Sequence, residues 1–340
     1  MPAFRTTKMS RAVLLERLPG YVGQLVLLAL VVWLVWSGFS NFLTNLRTLG
    51  VSAGYGFLQT EAGFEIAQSM IAFSPASSYL DAVIVATLNS LLVIALAGMF
   101  STLIGLCIAF GRLTSHPMIR GASTTYVEVF RNIPLLLQIF FWYFSAIALL
   151  PGVGESLQFG GVLLNNRGLF FPRLQLTFAG GWAQFALISP HVEGFSVSGG
   201  FVLLPELMAL TLGLSIYNST FLAEIFRAGI LSVPRGQSEA AATVGLSGVR
   251  AALLIILPQA LRVALPPAAG QYQTLAKASS LAAAIGYPDI MQIVGGTVLT
   301  QTSQALEAMT LVVLLYAAIN LFIALAVNLV NRRLLKHDGC

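Results

Sequence analysis

Charged side chains are scarce. Lys, Arg, Asp and Glu make up 9% of 340 residues, whereas a soluble domain carries about 25%. A water-facing surface cannot be assembled from so few charges, which excludes an ordinary soluble enzyme. Hydrophobic residues reach 57% and the mean hydropathy is +0.84, so disorder is excluded as well. The two cysteines, Cys107 in an apolar run and Cys340 at the chain end, exclude a disulfide scaffold. Three histidines, His116, His191 and His337, show no metal spacing, and no metal site is expected. The sequence has no G-x-x-x-x-G-K-[ST] loop to cradle a nucleotide phosphate and no Gly-x-Ser-x-Gly elbow. Any ATP that drives this protein must therefore be hydrolysed by another polypeptide. Paired catalytic groups within the membrane are missing too, so the chain is not expected to be an enzyme.

Long apolar runs take the place of charge. A span needs about 20 apolar residues, and such runs occur near 21–39, 83–111, 133–150, 204–231, 263–287 and 306–330. The expected fold is all-α, a polytopic membrane protein with about six spans. The first run follows Arg5, Lys8, Arg11 and Arg17 and carries Trp33 and Trp36. It reads as an uncleaved anchor rather than a signal peptide, because no small-x-small cleavage site follows. With a cytoplasmic N-terminus, 14 of the 18 Lys and Arg fall on the inside, three (Arg47, Arg167, Arg173) on the outside and Lys277 within a span. This positive-inside bias places both termini in the cytoplasm. It also accounts for the net charge of +5 without a nucleic-acid partner. Two external loops, 40–80 and 151–203, are interrupted by Pro75, Pro151, Pro172 and Pro190. They are expected to fold over the outer mouth or to receive a partner. The segment 1–80 is set apart from a membrane domain over 81–334, followed by a tail at 335–340.

The cytoplasmic segment 233–262 contains PRGQSEAAATVGLSGVRAALLIILP (234–258). Its first half reads as a short helix with Ser238 as N-cap, Glu239 in the first turn and Gly245 as terminator. Ala240, Ala241 and Ala242 read as a small-residue face, open to close approach by a partner or simply an Ala-rich loop. A second helix is expected from Ser247 to Pro258, whose ring ends or kinks it.

The spacing Glu239-Ala240-Ala241, three residues, Gly245, nine residues, then Ile255-x-Leu257-Pro258 resembles the EAA motif of ABC importer permeases. Further stretches are similar to the polar amino-acid branch of that family: YVEVFRNIPLLLQIFFWYF (126–144), FLAEIFRAGILSVPRGQ (221–237), LPQALRVALPP (257–267) and LAKASSL (275–281). One departure is Ala278, where the family commonly has Asp or Asn. With LNNRGLFFP (164–172) and its extra first span, the chain looks like the longer permeases of broad-specificity L-amino-acid importers. The resemblance implies a type I importer transmembrane domain in a bacterial inner membrane. It implies alternating access coupled to an ATPase subunit dimer that binds ATP and magnesium, so that this chain holds no cofactor. It further implies a second permease subunit, a heteromer by the specialised loops, and a periplasmic amino-acid-binding protein. Arg235, Glu239, Ala240, Ala241, Gly245, Ile255, Leu257 and Pro258 become the ATPase-coupling residues, with Pro258 and Pro266-Pro267 separating the coupling helix from the next span.

A substrate path draws on weaker signals. Glu224 and Arg227, at i and i+3, pair structurally or contact substrate. Lys277 is expected to be the most buried basic group, attracting a substrate carboxylate or anchoring the packing. Asn218, Ser219, Thr220, Ser279 and Ser280 offer neutral hydrogen-bonding groups to an amino acid or to neighbouring helices. Ala97, Ser101, Gly105 and Ala109 form a ridge suited to close helix packing, within the chain or against a second permease. Pro134 and the aromatics Phe140–Phe144 read as a helix start with membrane-facing rings, and Arg131 as a snorkelling side chain. An ion-coupled secondary transporter is the alternative, and would call for inverted halves and buried coupling carboxylates. The in-span candidates for such a carboxylate are Glu206 and Glu224.

Overall fold

A computed structural model of the chain describes residues 11–48, 54–179 and 182–336. Two compact units divide between Tyr55 and Gly56. The first holds α1, Arg11–Thr48, whose segment Val22–Asn41 is apolar on every side and long enough to cross a bilayer.

The second unit opens with segment 56–78, which belongs with the membrane domain rather than with the N-terminal region. Phe57 and Ala62 are buried with Tyr79, Ala82 and Ala86 and with Ile293 and Val298 from far along the chain. Helix α2 follows, Tyr79–Leu113, with Ser78 as N-cap. Ser78 Oγ accepts from the Asp81 amide and Asp81 Oδ2 accepts from the Ser78 amide, a reciprocal capping box. The ridge Ala97, Ser101, Gly105 and Ala109 is fully buried and packs within the chain. A β-carbon on Gly105 would lie 3.0 Å from Leu222 Cβ and 3.2 Å from the Ser219 carbonyl.

Helices α3, Pro117–Asn132, and α4, Leu135–Leu149, meet at a bend of 100°. Pro134 causes it, since the residue before a proline is driven out of the helical region, and Ile133 is extended at φ −85° and ψ 124°. The buried Gln138 amide secures the corner by donating to the carbonyls of Phe130 (2.8 Å) and Ile133 (3.0 Å). Phe141 and Phe144 point outward, as expected of lipid-facing rings, while Phe140, Trp142 and Tyr143 pack on the core.

The segment 151–203 is β-structured, which periodicity does not reveal. Strands β1 (Leu157–Phe159), β2 (Val162–Asn165), β3 (Gly168–Phe171) and β8 (Phe201–Leu203) form an antiparallel sheet in the order β1-β2-β3-β8. The β1–β2 turn is Gly160-Gly161, both at positive φ (54° and 87°), the two-residue geometry that matches strand twist and that only glycine adopts freely. Hairpins β4–β5 (Arg173–Ala179, Trp182–Ile188) and β6–β7 (His191–Glu193, Ser196–Ser198) complete the module.

Helix α5, Pro205–Leu231, is the hub, packed by α2, α3, α4 and α8. A short hairpin follows: α6 (Arg235–Thr243), α7 (Gly248–Ala251) and a π-helical segment, Ala252–Ile256. Helix α8, Leu257–Ala278, continues into a 3-10 turn, Ser279–Ile285. Pro258 therefore does not end the second helix: the widened π turn ahead of it takes up the missing N–H and the ring. Pro266 and Pro267 likewise lie inside α8 rather than separating two helices. Short α9 (Ile290–Gln292), a second π segment (Ile293–Val298) and α10 (Leu299–Thr302) lead into α11, Ala305–Lys336. Among the described residues five helices are long and apolar enough to span a membrane, or six with the bent α3–α4 pair.

Candidate functional site

The EAA segment forms a compact helical hairpin. Helix α6 starts earlier than the sequence suggests, with Pro234 at the N-cap and Arg235 as its first residue. Ser238 is not the cap; its hydroxyl donates back to the Arg235 carbonyl at 2.7 Å, and Glu239 falls in the second turn. The three alanines do not share a face, because consecutive helical residues diverge by about 100°. Ala241 is fully buried against α7 and the π segment, whereas Glu239, Ala240 and Ala242 are exposed. Gly245 does terminate the helix, at φ +79°. Its amide donates to Ala242 O and the Leu246 amide to Ala241 O, both at 3.0 Å, the two bonds of a Schellman motif. Ile255, Leu257 and Pro258 are half-buried at the root of α8. Gln259 Nε2 donates to Gln237 Oε1 at 3.5 Å, tying that root to α6. Val244 and Val249 stand 73% and 71% exposed, so the hairpin presents two bare valines as well as the exposed Glu239.

The polar residues of the membrane helices separate into two groups. Asn218, Ser219 and Thr220 are buried between helices. Asn218 donates to Ser101 Oγ (3.2 Å) and accepts from Gln271 (2.7 Å). Ser219 meets the Tyr126 hydroxyl at 2.9 Å, and Thr220 Oγ1 returns to Tyr217 O. Ser279 is buried and bonded to Ala276 O. Glu224 is held from two sides, by Arg112 of α2 and, at 3.0 Å, by Arg227. Each of these side chains is bonded within the chain. Arg131 is exposed, as a snorkelling side chain is, and stacks its guanidinium 4.5 Å from the Phe221 ring centroid.

Lys277 belongs to the other group. Expected to be the most buried basic residue, it is exposed on the open face of α8, lining a cavity with Ser280, Tyr316 and Asn320. A span residue on an open face has its burial supplied by whatever lies beyond this chain, which the sequence alone does not encode.

Three polar sites escaped the sequence reading. Arg112 was counted only as a topological charge, although its place in the last turn of α2 puts it beside Glu224. Gln138 enters the sequence reading only as part of the segment 126–144, although Gln four residues after a proline corner is placed to bond the carbonyls it frees. Asp289 is 1% exposed: Oδ1 caps α9 by accepting from the Gln292 amide (2.8 Å), and Oδ2 accepts from Tyr316 OH (2.9 Å). Asn89 and Ser90 of α2 fasten the adjoining turn through Pro288 O and the Ile290 amide, each at 3.0 Å. Glu206 accepts from Tyr143 OH at 3.2 Å. Asp289, Glu206 and Glu224 thus each have a partner within the chain. Among the described residues no cluster of His, Cys, Asp or Glu could hold a metal ion.

Outside the spans, His191 Nε2 meets Glu193 Oε1 at 2.8 Å and Ser198 Oγ donates to Glu193 Oε2 at 2.6 Å. The hydrogen bond to Glu193 raises the His191 pKa, and those from Ser198 and His191 lower that of Glu193.

Comparison with known proteins places this architecture. The family described as "binding-protein-dependent transport system inner membrane component" matches residues 101–336. A putative amino-acid ABC transporter permease protein of Escherichia coli is 39% identical, with 92% of this chain and 93% of that protein covered. A general L-amino acid transport system permease protein of Rhizobium johnstonii is 38% identical, covering 92% and 91%. Among solved structures, an amino-acid ABC transporter with histidines superposes with a TM-score of 0.53 at 23% identity, over 75% of this chain and 95% of that one, which shows a shared fold. The chain belongs to the binding-protein-dependent transport system inner membrane component family and is a permease subunit of an ABC importer.

Proposed function

We propose that this permease carries L-amino acids across a bacterial inner membrane, with both termini in the cytoplasm. The observation that carries the reading is the end-to-end similarity to permeases named for amino-acid transport. A periplasmic binding protein delivers the solute, and a second, unlike permease subunit completes the path. The ATPase dimer holds ATP and magnesium. Helix α6, with Arg235, Glu239, Ala240 and Ala241, docks in a groove of that ATPase, and Gly245, Ile255, Leu257 and Pro258 fix its angle to α8. The exposed Glu239 and the bare Val244 and Val249 suit such a joint, since interfaces combine polar and apolar groups.

The test is affinity purification of the tagged chain in mild detergent, followed by ATPase and uptake assays with the loaded binding protein. Recovery of an ATPase and a second permease, with ATPase activity stimulated by the loaded binding protein, is expected. Glu239→Lys reverses the anchor charge without touching a membrane helix and should reduce both ATPase recovery and uptake. Unchanged recovery with unchanged uptake would remove α6 from the coupling joint.

A further inference from the structure

Lys277 poses a charge problem that the chain does not solve. It is exposed on α8, and among the described residues no carboxylate forms a salt bridge with it. Glu206 is engaged with Tyr143, Glu224 with Arg112 and Arg227, and Asp289 with Tyr316 and the Gln292 amide. Depth sharpens the problem. Tyr316 and Asn320, which line the cavity with Lys277, stand about 16 and 22 Å along α11 from Ala305, in a helix of 32 residues that is about 48 Å long. The cavity therefore lies in the middle third of a span. With a hydrocarbon core about 30 Å thick, a lipid phosphate is roughly 15 Å away on either side. A cation at such a depth faces water or an anion rather than hydrocarbon. A second groove, between α2 and α11, shows the opposite chemistry. Its walls include Ile94, Met99, Leu103, Phe322 and Val327, and its two hydroxyls, Thr102 and Tyr272, bond to each other at 2.7 Å. That groove suits lipid; the cavity of Lys277 does not.

We infer that the open cavity between α8 and α11 lines the translocation path, and that Lys277 is the counter-ion of the cargo's α-carboxylate. The inference rests on the function proposed above and names the residue that reads the group all L-amino acids share. An α-amino acid brings one anion and one cation. Lys277 takes the anion, and its flexible stem lets the ammonium follow the carboxylate. Three residues on, and so on the same helix face, the Ser280 hydroxyl donates to Lys277 O at 2.7 Å. Its proton is thus engaged, and its oxygen remains an acceptor for the cargo's ammonium group. The hollow of about 420 Å³ falls within the range of small-molecule sites. Its apolar wall of Val312, Val313 and Ala317 carries no charge to select among side chains. A fixed carboxylate opposite Lys277 would compete with the cargo; without one, the cation is free for an anion that arrives and departs.

The experiment uses the whole transporter, with Cys107→Ala and Cys340→Ala as background. In lipid nanodiscs, Val313→Cys, at a cavity position that is 62% exposed, should react with a water-soluble maleimide. Millimolar L-alanine or L-glutamate should slow that reaction. L-Alaninamide, which lacks the carboxylate, should not, and adding Lys277→Met should abolish the protection. In proteoliposomes with ATP and saturating loaded binding protein, Lys277→Met should cut uptake of radiolabelled L-alanine and L-glutamate at least about tenfold, as loss of one charge-assisted hydrogen bond does. Lys277→Cys should be equally slow. Aminoethyl methanethiosulfonate, which rebuilds an ammonium at the length of lysine, should restore its uptake, and the sulfonatoethyl reagent should not. Val313→Cys that does not react, protection by L-alaninamide equal to that by L-alanine, or protection that survives Lys277→Met overturns the inference. So does loss of the second permease from Lys277→Met complexes with uptake per intact complex unchanged, the mark of an ion pair between subunits. Each of these results, obtained beside normal wild-type uptake, defeats the inference alone. A wild-type transporter that moves neither amino acid defeats the proposed function, and the inference falls with it.

Discussion

Gly245 offers the sharpest test of how the hairpin is built. It sits at φ +79°, one residue past the C-cap Val244, and nothing lies within 4 Å of where its β-carbon would be. Space is therefore not the constraint in this chain; backbone conformation is. An L-residue with a β-carbon held in the left-handed region costs about 1–2 kcal/mol. A penalty of that size shifts a two-state equilibrium roughly 5- to 30-fold. Gly245→Ala should thus reduce the population of hairpins in the docking geometry by about that factor. Gly245→Val should do so further, because its branched side chain is worse there. Asparagine tolerates the left-handed region, so Gly245→Asn should stay close to wild type although it is the larger residue. The assay is recovery of the ATPase on the tagged chain across a detergent-stable concentration series, with uptake alongside. The order glycine, asparagine, alanine, valine supports the conformational account. Asparagine falling below alanine would refute it, and would mean that a partner surface approaches the Gly245 backbone too closely for any side chain.

Glu224→Gln leaves Arg112 and Arg227 without their carboxylate and should lower stability by about 1–2 kcal/mol, less than for a fully buried pair because the site is part-exposed. Thermal unfolding in detergent measures this, and a KM for uptake that rises while the melting temperature holds would revive a substrate role. Gly105→Leu drives a side chain into Leu222 and the Ser219 carbonyl and should cost at least 1–3 kcal/mol. Gly98→Leu, facing open space on the same helix, should be nearly neutral; equal yields and melting temperatures for the two would contradict the close α2–α5 contact. In the β6–β7 hairpin the raised His191 pKa means that its contribution is fully present below the ordinary histidine value of 6.5 and fades as pH rises through the higher folded value. The lowered Glu193 pKa sets the opposite limit, its contribution fading as pH falls below the usual carboxylate range. Hydrogen exchange of residues 191–198, corrected for intrinsic rates, should accordingly be slowest in mildly acidic buffer, and His191→Ala should abolish the loss of protection on the alkaline side.

What the sequence made legible was whatever repeats or is spaced. Spans were visible because roughly 20 apolar residues in a row admit few other readings. The four-residue spacing of Ala97, Ser101, Gly105 and Ala109 announced a close helix contact, and Gly245 announced a helix end. Local chemistry that depends on tertiary accommodation was not visible. A proline argues for a break, yet Pro258, Pro266 and Pro267 sit in continuous helix because a π turn and neighbouring groups absorb them. Capping residues argue for a start at Ser238, yet Pro234 with its fixed φ begins the helix earlier. The strands of 151–203 are mostly three or four residues long, too short for alternation to register. The candidate polar residues divide on the same principle. Asn218, Ser219 and Thr220 look alike in sequence to Ser280 and Lys277, and only the arrangement of α2, α3 and α8 consumes the first set and leaves the second open.

The π segment ahead of Pro258 has a mechanical consequence. Because Ala252–Ile256 keeps α7 and α8 in register, residues 248–285 run as one helical column of 38 residues, close to 57 Å long at 1.5 Å per residue. Where that column moves as one body, a tilt of only about 5° swings its far end by about 5 Å. A small push on the stub around Val249 is thereby geared up at Ser279–Ile285, which packs on α9, with no signal passed from side chain to side chain.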